Sequence, residues 1–337
     1  MRRTISCLPI LVVALCLLTL PADAQQKLAQ TGMKFLNVGM GARATALGEA
    51  FTAVDGNAAS LFYNPAGIAR QKEMVSIELG EVQWIADIKH DYASIAWSPW
   101  EGEYGVLGIM VQSVNYGDLN GTVRSSDDQG YIDLGTFSPS GTMIGIGYAR
   151  GLSELFAVGA DVKWVRQNLG QGVIGADVSG ALTSQSNITG LFAFDFGITY
   201  KTGFKSLEFG MVVRNFSKEA RFIDEGFQLP LTFQFGLSMN MLDLASIDKS
   251  QHQLLLTIDA EHPRDYPERM KVGGEYRFMD FLSLRAGFIS LADQQKFSYG
   301  VGLNKFLGDL GLGVDYAYTP FGVFGNVHRF SFQFAWK

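Results

Sequence analysis

The chain has 337 residues, of which 18% are charged, 47% hydrophobic and 12% aromatic, with 39 glycines and a formal net charge of −6. Ordinary soluble domains carry about 25% charge, so this composition weighs against a soluble α/β enzyme and favours a β-rich protein with two unlike faces. The acidic balance argues against nucleic acid as a partner, because phosphate binding needs a concentrated basic surface.

Residues 1–24 read as a secretory signal peptide: Arg2 and Arg3 are basic, residues 5–20 are apolar, and Ala22-Asp23-Ala24 is an A-x-A site. Cleavage after Ala24 starts the mature chain at Gln25. Both cysteines, Cys7 and Cys16, then leave with the peptide, and no disulfide or thiol chemistry remains. Removing Arg2, Arg3 and Asp23 from the 27 basic and 33 acidic residues leaves 25 and 32, or −7. Beyond residue 24 no stretch approaches the roughly 18 apolar residues of a spanning helix. If a membrane is crossed, strands must cross it.

Residues 25–38 are a polar lead-in. Residues 39–70, "GMGARATALGEAFTAVDGNAASLFYNPAGIAR", read as helix and turn. Good helix formers run from residue 43 to residue 54. Asp55-Gly56-Asn57 signals a turn, with Asn57 placed to cap a short helix through Leu61. Asn64-Pro65 repeats the device, with proline at the first helical position. Compact turns rich in glycine and alanine suit a confined space, so residues 25–72 are expected to form a plug. Its motif residues are Gly39, Gly41, Arg43, Gly48, Asn57, Asn64, Pro65, Ala66 and Gly67. Arg43 is the lone cation between Gly39 and Arg70. Two readings of it stand equal: a bidentate pair with a carboxylate of the surrounding wall, or a solvated helix charge.

From Glu73 onward the period is two. In "FAFDFGITY", Phe192, Phe194, Phe196, Ile198 and Tyr200 share one face, while Ala193, Asp195, Gly197 and Thr199 take the other. Such alternation over about nine or ten residues marks a membrane β-strand, apolar toward lipid and polar toward the lumen. Fourteen candidates follow, at roughly 73–85, 89–98, 103–114, 141–150, 155–167, 190–201, 206–215, 228–239, 252–261, 269–278, 281–289, 296–306, 311–319 and 327–336. The connections after strands two, four, six, ten and twelve are short, whereas residues 115–140 and 168–189 are long. Short inner turns and long outer loops are the habit of outer-membrane barrels. The connection at 240–251 departs from it as an extended inner turn, with a helical turn near 241–246. A secreted β-sandwich also alternates. Bulky aromatics on nearly every apolar face, the strand count and the loop asymmetry favour the barrel. The expected fold is thus all-β: a transmembrane outer-membrane barrel of about 14 antiparallel strands over residues 73–337, with an N-terminal helical and turn plug in the lumen.

Three patches resemble a known family. Residues 39–69, "HPRDYPERMKVGGEYRF" from His262 and "DYAYTPFGVFGNVHRFSFQF" from Asp315 look like the PorV/PorQ family, a branch of the FadL-like outer-membrane barrels. The resemblance implies a fourteen-stranded barrel with its amino-terminal segment in the lumen. It implies two roles. PorV-like proteins serve type IX protein secretion, binding cargo with C-terminal sorting domains and attachment partners at their outer loops. FadL-like relatives pass hydrophobic small molecules, which makes a hydrophobic ligand the alternative partner. Barrels of this kind usually end in an aromatic residue; here Phe330, Phe332, Phe334 and Trp336 keep the alternating C-terminal signal and Lys337 is added.

No catalytic constellation is read. His90, His252, His262 and His328 are scattered without metal-ligand spacing. No G-x-S-x-G elbow occurs. Asp55-Gly56-Asn57 and Ser126-Asp127-Asp128 do not continue into a calcium loop. The expectation is therefore no enzyme, no cofactor and no metal, in the outer membrane of a Gram-negative bacterium with lipid and LPS around the belt. The secretion role is favoured here, because the apolar residues in 115–140 and 216–229 are few for a greasy pocket. Deleting residues 31–70 is expected to raise solute leakage through reconstituted barrels while heat-modifiable electrophoretic migration stays normal; loss of that migration would instead make the segment a folding core.

Overall fold

From residue 75 to residue 336 the alternating segments form a closed, antiparallel barrel. The computed structural model describes residues 31–337 except 127, 177–181, 223–224, 246–250 and 293. The expected signal peptide lies outside the described residues. The fourteen strands are β1 (Val75–Gln83), β2 (Lys89–Trp97), β3 (Val106–Asn115), β4 (Ser140–Gly151), β5 (Phe156–Ala176), β6 (Leu182–Lys201) and β7 (Glu208–Ser217), followed by β8 (Thr232–Asn240), β9 (His252–Pro263), β10 (Arg269–Phe278), β11 (Leu282–Ile289), β12 (Phe297–Leu307), β13 (Leu310–Pro320) and β14 (Asn326–Trp336). Each strand pairs with its sequence neighbours, and β14 closes on β1 from Val75 opposite Trp336 to Gln83 opposite His328. Closure leaves no edge whose amides lipid could not satisfy.

The period of two decides what each face meets. On β14, Phe330, Phe332, Phe334 and Trp336 point outward and are 38–49% exposed, whereas Arg329 and Ser331 between them are fully buried in the lumen. The same outward apolar row runs through Phe192, Phe194 and Phe196 on β6 and through Phe235 and Leu237 on β8. Together these rows make the belt expected of a barrel in lipid. No helix of the described residues is long and apolar enough to cross a membrane.

The two rims differ. At one, the chain turns in residues 152–155, 279–281 and 308–309, and both ends of the barrel lie there. At the other, residues 116–139 carry a hairpin of Leu119–Arg124 with Tyr131–Phe137, and residues 218–231 carry a smaller one of Ala220–Phe222 with Glu225–Phe227. Residues 168–189, read from sequence as a loop, are instead largely strand: β5 and β6 run to 21 and 20 residues and stand above the rim as a bulged ribbon. The connection after β8 opens with a 3-10 turn at Met241–Leu244.

The lumen is filled. Thr31 bridges Gln228 at the long-loop rim, and from there the chain descends through the barrel to enter β1 at the other rim. The lead-in is more than polar: Lys34–Asn37 is a 3-10 turn with Phe35 and Leu36 buried. The helix expected over 43–54 is only Ala42–Ala46. Gly48 (φ 65°) and Glu49 (φ 61°) turn left-handed and end it, the usual role of a glycine just past a helix. Two 3-10 turns follow, Ala58–Phe62 and Pro65–Ile68. The core therefore lies between this plug and the inner wall, with Phe51, Leu61, Tyr63 and Ile68 at its centre.

Candidate functional site

The plug approaches the wall where the wall has no side chains. Gly159 on β5 faces Pro65 and Ala66, Gly210 on β7 faces Thr52, and Gly273 and Gly287 on β10 and β11 face Leu47 and Gly48. A Cβ at any of these would collide with plug backbone, so glycine there permits contact that a larger residue forbids. Gly48 returns the fit, since its own Cβ would meet the backbone of Phe288. Asn64 locks the next turn. Its Oδ1 accepts from Ala66 N–H at 3.1 Å, and its Nδ2 donates to Thr52 O at 2.7 Å and to Ile198 O on β6 at 3.1 Å. Pro65 takes the first position of that turn, and Gly67 N–H donates to Asn64 O. Asn57 occupies a cap position, but its side chain makes no capping bond.

Ion pairs supply the remaining fastening. Arg43 donates through Nε and Nη2 to both oxygens of Glu275 at 2.9 Å, the bidentate geometry that a guanidinium favours. Arg277 reaches the same carboxylate at 2.9 Å and Arg285 at 2.5 Å, and Arg285 continues to Asp315 at 2.5 Å. One carboxylate thus joins one plug arginine to two wall arginines. Lys271 bridges Glu261 at 3.0 Å and the plug's Glu49 at 3.4 Å. Arg70 at the short-loop rim joins Glu208 at 2.7 Å and Asp55 at 3.2 Å. Burial holds the Asp55 carboxyl above its usual range, against the lowering effect of Glu208 and Arg70. Fully buried Arg329 donates to Gly39 O at 3.3 Å and lies over the Trp84 ring at 5.4 Å. Gly41 (φ 80°) bends the chain past Glu78, and Ala42 N–H donates to Ser331 Oγ at 2.7 Å.

Above the plug, on the long-loop side, a chamber of about 420 Å³ remains. Phe35, Leu36, Trp84, Ile88, Met110 and Phe321 give it an apolar wall, while Lys163, Arg214 and Lys271 stand on the opposite side. Lys163 is paired with Asp195 at 2.6 Å, and Arg214 lies over the Tyr63 ring at 5.7 Å. A second space of about 570 Å³ opens at the rim as an almost wholly apolar groove between Leu119, Pro139, Leu169, Phe222 and Phe227. Lys34 and Tyr116 border both spaces. Apolar residues in 115–140 and 216–229 are few, as the sequence showed, but the hairpins converge them on one groove. Tyr116 and the groove phenylalanines carried no motif that would single them out, and Asp265 lies in the patch from His262 without having been given a role there. Of the histidines, His90 is buried within 3.4 Å of Gln112, and His252, His262 and His328 lie apart on other strands. Among the described residues no group of three His, Cys, Asp or Glu is placed to hold a metal.

A family model described as "Uncharacterised protein family (UPF0164)" matches residues 12–219, more than half of the chain. No curated protein matches. Among solved structures, the toluene transporter TbuX of Ralstonia pickettii aligns over 89% of this chain and 99% of its own, with a TM-score of 0.55 and 13% identity. The toluene transporter TodX of Pseudomonas putida aligns over 92% and 98%, at 0.54 and 13%. A FadL homologue of Pseudomonas aeruginosa aligns over 88% and 98%, at 0.54 and 11%. At these identities the likeness is one of fold, and the fold is that of FadL-like outer-membrane barrels.

The shared carboxylate makes unequal demands on its partners. Glu275→Gln removes the charge that Arg43, Arg277 and Arg285 share and leaves Arg43 without a carboxylate, while Arg285 keeps Asp315, a loss of about 3–5 kcal/mol. Arg43→Met leaves Glu275 with two partners, and the cost is about 1–3 kcal/mol. Denaturant unfolding in micelles is expected to rank them in that order, and equal costs would contradict a shared hub.

Proposed function

The chain belongs to the uncharacterised protein family UPF0164, and we propose that it is a non-enzymatic outer-membrane channel for apolar small molecules. The groove takes such molecules from outside, and the chamber above the plug receives them. The carrying observation is the pair of spaces: an apolar groove of about 570 Å³ on the long-loop rim adjoining a half-apolar chamber of about 420 Å³, with Lys34 and Tyr116 common to both. Binding pockets for small ligands are concave, mostly apolar and carry a few convergent polar groups, which describes this pair. Two proteins of the same fold are toluene transporters by description, which supports the reading. We place the chain in the Gram-negative outer membrane with lipid and LPS against its belt, and its rim hairpins outward. Below the chamber the plug and its ion pairs keep water-soluble traffic out.

The secretion role is the second reading. Its support is the resemblance of residues 39–69 to the PorV/PorQ motif, together with hairpins that stand clear of the rim. Copurification with cargo bearing a C-terminal sorting domain is its test, and unimpaired export of such cargo in a deletion strain would exclude it.

For the first reading, vesicles containing the purified chain should take up toluene and N-phenyl-1-naphthylamine faster than empty vesicles, with glucose uptake unchanged. Phe222→Asp with Phe227→Asp should reduce uptake of both probes by about tenfold, because charge in the groove costs on the order of 1–3 kcal/mol in apolar contact. Equal uptake by the two proteins would remove the groove from the route.

A further inference from the structure

Beneath the plug, a third space of about 580 Å³ opens at the short-loop rim. Elsewhere the wall glycines lie against plug backbone, but the atoms nearest Gly311 and Gly313 on β13 belong to side chains of β12 and β14: Phe306, Asn304, Gln333 and Ala335. The wall there stays clear of the plug, and a hollow is left between them. It is cationic, in a chain whose formal net charge is −6. Arg43, Arg277 and Arg285 line it within, and Lys72, Lys305 and Lys337 stand at its lip, against Glu73 and Asp280.

The hydrogen bonds behind the hollow leave donors over. Glu275 accepts Nε and Nη2 of Arg43, Nη2 of Arg277 and Nε of Arg285. Four donors fill the lone pairs of one carboxylate. Asp315 takes Nη1 of Arg285 and the Gln333 amide at 2.6 Å. Three guanidiniums carry more N–H groups than these two carboxylates accept, and Arg277 Nε is buried with no hydrogen-bond partner among the described residues. Buried donors are nearly always satisfied, so an unpaired one marks where an acceptor belongs. Asp280 stands 3.7 Å from Arg277 Nη1, but it is largely exposed and solvent screens the pair. The amides of Asn304 and Asn57 add to the lining, the latter free of the capping bond that its position suggested. Because Glu275 already holds the guanidiniums in place, an anion bound there orders little that is not ordered already. Fixed, planar guanidinium forks suit oxyanions, phosphate above all. The volume lies within the usual range for small-ligand pockets, roughly 300–1,000 Å³.

We propose that this hollow is an anion site on the inner side of the barrel, which takes a phosphate-bearing molecule with Arg277 and Arg43 as its principal donors and the ammonium groups of Lys72 and Lys337 at its entrance. The plug separates it from the groove and the chamber. It stands whether the outer face passes apolar solutes or holds protein cargo. The Glu275 cluster then has two sides: toward the plug it fastens Arg43, and toward the rim it presents unspent positive charge.

Inorganic pyrophosphate, titrated calorimetrically into the purified chain in dodecyl maltoside micelles near neutral pH and at low salt, should bind saturably at one site. Arg277→Gln should weaken that binding about tenfold, since it removes a charge-assisted donor. Asn304→Asp should weaken it at least as much: it keeps the side chain's shape, leaves the Glu275 bonds intact and sets a negative charge in the hollow. Asn304→Asp therefore decides the matter if Arg277→Gln disturbs folding, which heat-modifiable migration reports. Arg150→Gln, at the exposed end of β4 on the same rim but outside the hollow, should bind as the unaltered chain does. Dihexanoyl phosphatidic acid in the same micelles identifies the source: preference for it assigns the phosphate to a lipid headgroup, and preference for pyrophosphate to a soluble solute. Absence of saturable binding of either would overturn the site, as would Asn304→Asp binding as tightly as the unaltered chain. Equal weakening by Arg150→Gln would overturn it too, because the effect would then be general attraction by the rim.

Discussion

Filling the lumen removes the charges of the inner wall from water, and everything else in this barrel depends on how those charges are paired. An isolated buried ion costs several kcal/mol, and breaking one buried pair by removing a partner costs about 3–5 kcal/mol. Glu275, Arg285, Lys271 and Asp315 are each at most 5% exposed. Without the plug they would face a wet channel, where charges of both signs are readily tolerated. With the plug in place they need partners, and the plug supplies Arg43 to Glu275 and Glu49 to Lys271. The plug is thus both the cause of the desolvation and part of its remedy.

Pairing alone would not hold a segment so poor in regular structure. Its short helix and 3-10 turns have little intrinsic stability, since brief helices are marginal without tertiary contact. Contact comes from wall glycines that let plug backbone lie directly on strand backbone, at Gly159, Gly210, Gly273 and Gly287. Small residues in the plug answer them: Ala46 and Ala66 are fully buried. Composition that looked merely β-compatible therefore has a local purpose. Alternating strands need an inner face, and here part of that face is absent by design of sequence so that another chain segment fits.

The strands were legible because each has one wet and one dry face. In β6 the aromatics of "FAFDFGITY" and the Asp195, Gly197 and Thr199 between them assign both faces within nine residues. Where both faces are wet that signal vanishes, which is why residues 168–176 of β5 and 182–189 of β6 read as loop and why the Tyr131–Phe137 strand went unseen. The plug was legible as turn chemistry, with Asn64-Pro65 read correctly at its cap, but the helix over 43–54 was drawn too long. Helix propensity of the intervening alanines lost there to Gly48, whose left-handed turn fits it against Gly287. The site was the least legible part. Arg43 and Glu275 are 232 residues apart, and a groove assembled from two hairpins and the plug's first residues leaves no periodic mark. Sparse apolar residues in each loop counted only against a greasy pocket, because convergence is a property of the fold and not of any one segment.

The distribution of fasteners divides the plug into two parts held by different means. Below Gly39 the segment is held by the Glu275 hub, by Glu49 with Lys271, by Arg70 with Asp55 and Glu208, and by backbone contact with four wall glycines. Several of these would have to break together, and each is costly. Above Leu36 the chain is held by Asp265 and one backbone bridge at the rim, and by Gln112 of β3, which donates to Phe35 O. Residues 31–36 carry fewer ion pairs than the lower plug, but Met33, Phe35 and Leu36 are buried in the core, and the stretch lies between the two apolar spaces. The plug is thus held along its length by two different means, ion pairs and backbone contact below and buried apolar side chains with one carboxylate above.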